Sequence, residues 1–190
     1  MFMRFAINLC LCVGLPAVAA AEPMTFKEAR KAFGRVEKPV AIVTNVDWLD
    51  QKQEEILAAL VSNIPYFGAI ALNKDEGLFV DWLQAAAQHH DAAAARSAAL
   101  AHCEASKKPG SSACIVVLEV RAAGQGEQTL SAPAAEALRT EYRKLRAPKA
   151  FAISRSTGNF GFARGDAEAA LTACETAGTS ADDCTVLVAD

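Results

Sequence analysis

The chain has 190 residues, with 22 acidic against 19 basic side chains, a formal charge of −3 and 52% apolar residues. That length buries a real core in one domain or two small ones. A mildly acidic balance leaves no general electrostatic pull on nucleic acid or anionic lipid, and neither is expected as a partner.

The chain starts like an export signal. Arg4 supplies the positive charge, and residues 5–15 form an apolar stretch too short to span a bilayer. Pro16 breaks it, and Ala17-Val18-Ala19 or Ala19-Ala20-Ala21 offers a small-residue cleavage site. Residues 1–21 therefore read as a signal peptide, and the product as a periplasmic or secreted protein. Leu9 and Leu11 stand where lipid attachment to Cys10 or Cys12 wants a small residue, so ordinary cleavage is expected. No later run approaches the roughly 20 apolar residues of a transmembrane helix.

Residues 22–65 read as helix, strand, helix. Thr25 caps a short helix over 26–33, stopped by Gly34. Residues 40–46 are β-rich, with Pro39 suited to a strand entrance. Asp47 or Asp50 then caps a helix whose apolar face is Ile56, Leu57, Leu60 and Val61, ended by Asn63 and Pro65.

The unit over 66–121 follows: a strand over 66–72, a turn at 73–77 closed by Gly77, and a return strand over 78–82. Asp91 then caps a helix to about residue 105, and Cys114 opens a third strand. Residues 122–148 read as a glycine-containing linker and a connecting helix capped by Ser131, with Pro133 in its first turn. Ala135, Leu138, Tyr142 and Leu145 form that helix's buried stripe. Arg139, Arg143 and Arg146 form its outer one, read as a solvated face.

Residues 149–190 repeat the first unit. Ala69-Ile70-Ala71-Leu72-Asn73-Lys74-Asp75-Glu76-Gly77 matches Ala150-Phe151-Ala152-Ile153-Ser154-Arg155-Ser156-Thr157-Gly158. Each copy continues into an alanine-rich helix, which here Asp166 caps, and reaches Cys103 in one case and Cys174 in the other. Each then meets a second cysteine, Cys114 or Cys184, before an apolar strand. Small side chains let such a helix sit close on a sheet. Ala99, Leu100 and Cys103, like Ala170, Leu171 and Cys174, share one helical face. An even number of cysteines in an exported chain favours disulfides. The repeat selects Cys103–Cys114 and Cys174–Cys184, each contributing roughly 2.5–3 kcal/mol by loop entropy. Metal-type CxxC spacing is absent.

Few residues suggest chemistry. His89 and His90 precede the first helix and His102 lies near its end; they read as surface polar residues, and no metal site is expected. Asp75, Glu76, Asp81, Asp182 and Asp183 read as turn and cap residues rather than paired catalytic carboxylates. No nucleophile elbow, HExxH, phosphate loop or EF-hand is present, so no catalytic residue is assigned. Residues 83–90 have no counterpart in the second copy. With Phe79 and Trp82 before this insertion and His89 and His90 closing it, the segment either projects a partner-binding surface or turns its aromatics into the core.

The glycine turn, the alanine-rich helix ending in cysteine and the cysteine before a valine-rich strand resemble the domain-of-unknown-function 4189 unit of small exported bacterial proteins. Residues 66–120 and 149–190 carry that resemblance. The chain is also similar to short exported alphaproteobacterial proteins sharing Pro65-Tyr66-Phe67-Gly68-Ala69-Ile70-Ala71, Asp75-Glu76-Gly77 and Glu141-Tyr142-Arg143-Lys144. Some of these carry the label "5-aminolevulinate synthase". That label would imply pyridoxal phosphate on a Schiff-base lysine. No lysine here stands in a recognisable cofactor-binding context, so the residues themselves call for no cofactor.

The expected architecture is α+β. It comprises two duplicated strand–strand–helix–strand units with one disulfide each, an antiparallel-rich sheet and helices packed on it, the two units' strands free to share one sheet. Two functions stay open: a noncatalytic binding or inhibitor module, its partner unknown but of the envelope-protein kind, or a small exported hydrolase. The hydrolase needs two of Glu76, Asp81, His90 and His102 to converge in one cleft.

Overall fold

The computed structural model describes residues 22–33, 37–124 and 129–190; the expected export signal and Gly34 lie outside them. Local backbone chemistry sets most element boundaries. Thr25 and Glu28 exchange hydrogen bonds at the start of α1 (Phe26–Phe33). Asp50 and Gln53 do the same for α2 (Gln51–Leu60), so the cap is Asp50 rather than Asp47. Asp91, Ser131 and Asp166 each accept a backbone N–H at the start of α3 (Ala92–Ser106), α4 (Ala132–Thr140) and α5 (Ala167–Glu175).

The strands are β1 (Pro39–Val43), β2 (Gly68–Leu72), β3 (Ile115–Ala122), β4 (Lys149–Ile153), β5 (Phe160–Arg164) and β6 (Thr185–Ala189). They form two separate antiparallel sheets, β1-β3-β2 and β5-β4-β6, not one shared sheet. The molecule is an α+β protein of two similar units, each with its own sheet, helix and disulfide.

The similarity of the units reaches further back than residues 66 and 149. Asp50 and Ser131, which cap α2 and α4, are 81 positions apart (131 less 50). The same offset relates the 3₁₀ turns Val61–Asn63 and Tyr142–Lys144, the strands β2 and β4, and Gly77 and Gly158. Register shifts fall at matched places too, between Ile70 and Ala71 and between Phe151 and Ala152. The helices assigned by sequence to an N-terminal segment and a linker thus occupy equivalent places in the two units.

β4 shows how alternation builds each unit. Ala150 and Ala152 face α5 and pack with Ala170 and Cys174, whereas Phe151 and Ile153 face the opposite core with Ala29 and Phe33 of α1 and Leu138 of α4. α5 lies so close that a Cβ on Gly161 would stand 2.2 Å from the Cys174 nitrogen. In the first unit Ala95, Ala99 and Cys103 are the buried face of α3, which packs on β2 and β3. Arg96 of α3 pairs with Glu119 of β3 across the same face.

Residues 78–82 do not form the expected return strand. The chain turns after Val80, and the Trp82 indole N–H donates to Glu76. It rejoins β2 only at Ala86, which pairs antiparallel with Ala69, while His89 exchanges backbone hydrogen bonds with Phe67. The second unit lacks the extra residues, and there β5 returns directly from the turn. The first sheet gains its third strand instead from β1, which pairs with β3. That N-terminal segment spans both units, because Met24 bridges in parallel to Val188 of β6 and α1 packs on α4.

Candidate functional site

Each turn is tied to the loop before the second cysteine, with donor and acceptor exchanged between the units. In the first unit the Asp75 carboxylate accepts from the Ser112 backbone N–H (2.6 Å) and hydroxyl (2.7 Å). In the second, Ser156 stands at the matched turn position, and its N–H and hydroxyl donate to Asp183, both at 2.9 Å; the Ser154 hydroxyl also donates to Asp183. The Ser112 hydrogen bonds hold the Asp75 carboxyl below its ordinary range. Partial burial raises that of Asp183, but the Ser154 and Ser156 hydrogen bonds outweigh it and the net shift is downward. These ties bring each cysteine loop onto its turn, beside disulfides whose Cα atoms are 6.1 and 6.2 Å apart.

Glu76 is likewise internal in role. Its carboxylate accepts from Asn73 (3.0 Å), the Lys108 backbone (3.0 Å) and Trp82 (3.3 Å). Desolvation opposes the charge, yet the donors prevail and lower its pKa to about 2. A carboxylate so held is an anchor, not a proton donor near neutral pH.

The histidines correct the sequence reading. His89 and His90 are buried, not surface residues. His90 Nε2 donates to the Asn159 carbonyl of the second unit (3.0 Å), and its Nδ1 accepts from the Ser131 N–H at the start of α4 (3.3 Å). Burial lowers its pKa to about 4, so the ring is neutral at pH 7. Gly158 lies against this insertion, where a Cβ would stand 2.5 Å from the Gln88 carbonyl oxygen. Residues 88–90 therefore form an interface between the units, while Ala86 stays paired with β2 of its own unit. Of the residues expected as a partner surface, Phe79 is 76% exposed and Trp82 is half-buried beside the His102 ring.

Two clefts flank α3. The larger, about 650 Å³, lies between the units and is lined by Asp91, Ser97 and Ala98 on one side and Arg155, Ser156 and Asp183 on the other. The smaller, about 330 Å³, is lined by Gln84, His89, Ala98 and His102, so Ala98 lies on both. Arg155 stands 3.7 Å from the Asp91 carboxylate with its side chain more than half exposed. An ion pair this loose and wet contributes little to stability and leaves the guanidinium available. His102 Nε2 donates to the Trp82 carbonyl (2.9 Å), and burial lowers the pKa of His89 despite the opposing charge of Asp91. Among the described residues no group of three or more metal-type ligands is gathered.

Arg155 and Ser97 escape the sequence reading. The signal that could have marked Arg155 is its match with Lys74, a basic residue at the same place in both turns. No protein-family model, curated protein or solved structure matches the chain.

Proposed function

We propose that this is an exported, disulfide-stapled binding module, a tandem duplication related to the domain-of-unknown-function 4189 unit, that seats its partner in the cleft between the two units. The observation that carries the reading is that cleft, a shallow, open depression built from both units and rimmed by the exposed Arg155 guanidinium. Two disulfides suit an oxidising compartment, periplasmic or secreted. Among the described residues no helix is long and apolar enough to cross a membrane.

The residues a hydrolase would use are engaged elsewhere. Glu76 anchors Trp82 and Lys108, and His90 joins the units; neither they nor Asp81 line the smaller cleft with His102. A pyridoxal-phosphate reading fares no better at the buried lysine, Lys149. Its ammonium sits over the rings of Phe26 (4.8 Å) and Tyr142 (4.4 Å) and donates to the Tyr142 carbonyl. Such a lysine is held as a structural cation.

A photo-crosslinking side chain placed at Ser97 tests the proposal in cells that export the protein. One discrete adduct is expected, competed by unlabelled protein and reduced at least tenfold by Arg155→Glu, while the same label at Arg143 gives none. Equal adducts from both positions, or an Arg155→Glu variant that crosslinks as well as the parent, contradict it.

A further inference from the structure

His90 is fully buried where the two units meet, and both of its ring nitrogens are committed. One donates to a carbonyl of the second unit and the other accepts from the backbone N–H of Ser131, an arrangement only the neutral ring can make. A proton added to Nδ1 would point an N–H at the Ser131 N–H, replacing a hydrogen bond with two facing donors in a buried place. The charged groups around the ring do little to receive that proton. Asp91 on its own segment favours it, while Arg155 on the opposing turn and His89 beside it disfavour it. Ser131 and Asn159 present only backbone groups to it, and of these the Asn159 carbonyl favours the charged ring, an effect that burial outweighs.

We propose that His90 is a protonation-sensitive clasp between the units, closed while the ring is neutral and released by acid. Uptake of one proton breaks the Ser131 hydrogen bond but leaves an Nε2–H for the Asn159 carbonyl, so the turn over 154–159 leaves the insertion over 83–90 only as the charged ring moves out to water. The Asp91–Arg155 rim of the inter-unit cleft then parts. The clasp does not depend on what the cleft holds.

The sign follows from burial. The folded pKa, about 4, lies below the ordinary 6.5, so closure is complete above pH 6.5 and weakens as the pH falls toward 4. With the ordinary value in the open form, the open-to-closed ratio rises about fiftyfold between pH 7 and pH 4.5.

Amide exchange resolved by residue tests this, expressed as protection to remove the intrinsic pH effect. Protection of the Ser131 amide is expected to fall about fiftyfold between pH 7 and 4.5, while Phe151 and Val188 hold. His90→Gln offers one donor and one acceptor without titrating, and should keep protection flat; His89→Gln should leave the fall in place. The idea is overturned by a flat wild-type profile, by the same fall in His90→Gln, by loss of the fall in His89→Gln, or by equal loss at Phe151 and Val188. Should His90→Gln not fold, nitrogen NMR of the wild-type ring decides. The ring must remain the Nε2–H tautomer down to about pH 5 and become the imidazolium as the pH falls through about 4, whereas a ring that titrates near 6.5, or one still neutral below about pH 3, refutes the clasp.

Discussion

Gly161→Ala is expected to destabilise the protein by about 3 kcal/mol or more, measured by urea unfolding with the disulfides intact. The added methyl would lie 2.2 Å from the Cys174 nitrogen and 2.5 Å from the Ala173 carbonyl carbon. Both are backbone atoms of a helix fixed at its end by the Cys174–Cys184 bond, so the contact cannot relax by a side-chain rotation. Gly77→Ala is the comparison. Its glycine has φ of +71° but open space around it, so only the left-handed backbone cost of about 1–2 kcal/mol applies. If Gly161→Ala costs no more than Gly77→Ala, α5 does not sit on β5 as described.

Phe151→Ala should cost about 3–5 kcal/mol by the same measurement. Phe151 is fully buried, parallel to the rings of Phe160 (5.7 Å) and Phe162 (5.8 Å) and edge-on to Tyr142 (5.7 Å). Truncation removes three aromatic contacts and leaves a cavity beneath α1 and α4 that rigid strands cannot close. Phe79→Ala, at a site mostly in water, should fall within about 0.5 kcal/mol of the parent. A cost for Phe151→Ala near that of Phe79→Ala would mean that the second unit's sheet lacks the aromatic core described.

What was legible in the sequence is what local chemistry decides. Asp91, Ser131 and Asp166 cap helices because a short oxygen-bearing side chain reaches its own N–H groups, whatever lies beyond. The cysteine pairing was legible because the spacing occurs twice. The buried stripe of Ala135, Leu138 and Tyr142 survived even though α4 gives way to a 3₁₀ turn at Tyr142.

Competition between distant segments was not legible. Residues 78–82 have the composition of a strand, but the edge of β2 is taken by Ala86 and His89, and nothing local announces that contest. β1 reads as a strand from its composition, yet its pairing with β3 depends on a partner far along the chain. His90 looked like a surface residue because a polar ring normally seeks water. Its burial follows from two backbone groups, at Ser131 and Asn159, that only the assembled units bring together. The candidate site was hidden for the same reason, since Asp91 and Arg155 meet only across the junction of the units.

Peptide mapping of unreduced protein by mass spectrometry reaches the foundation of this account, two similar units each closed upon itself. Proteolysis without reductant should release a Cys103–Cys114 peptide pair and a Cys174–Cys184 pair. A bond joining one unit's cysteine to the other's, or four unpaired thiols in the unreduced protein, would contradict it.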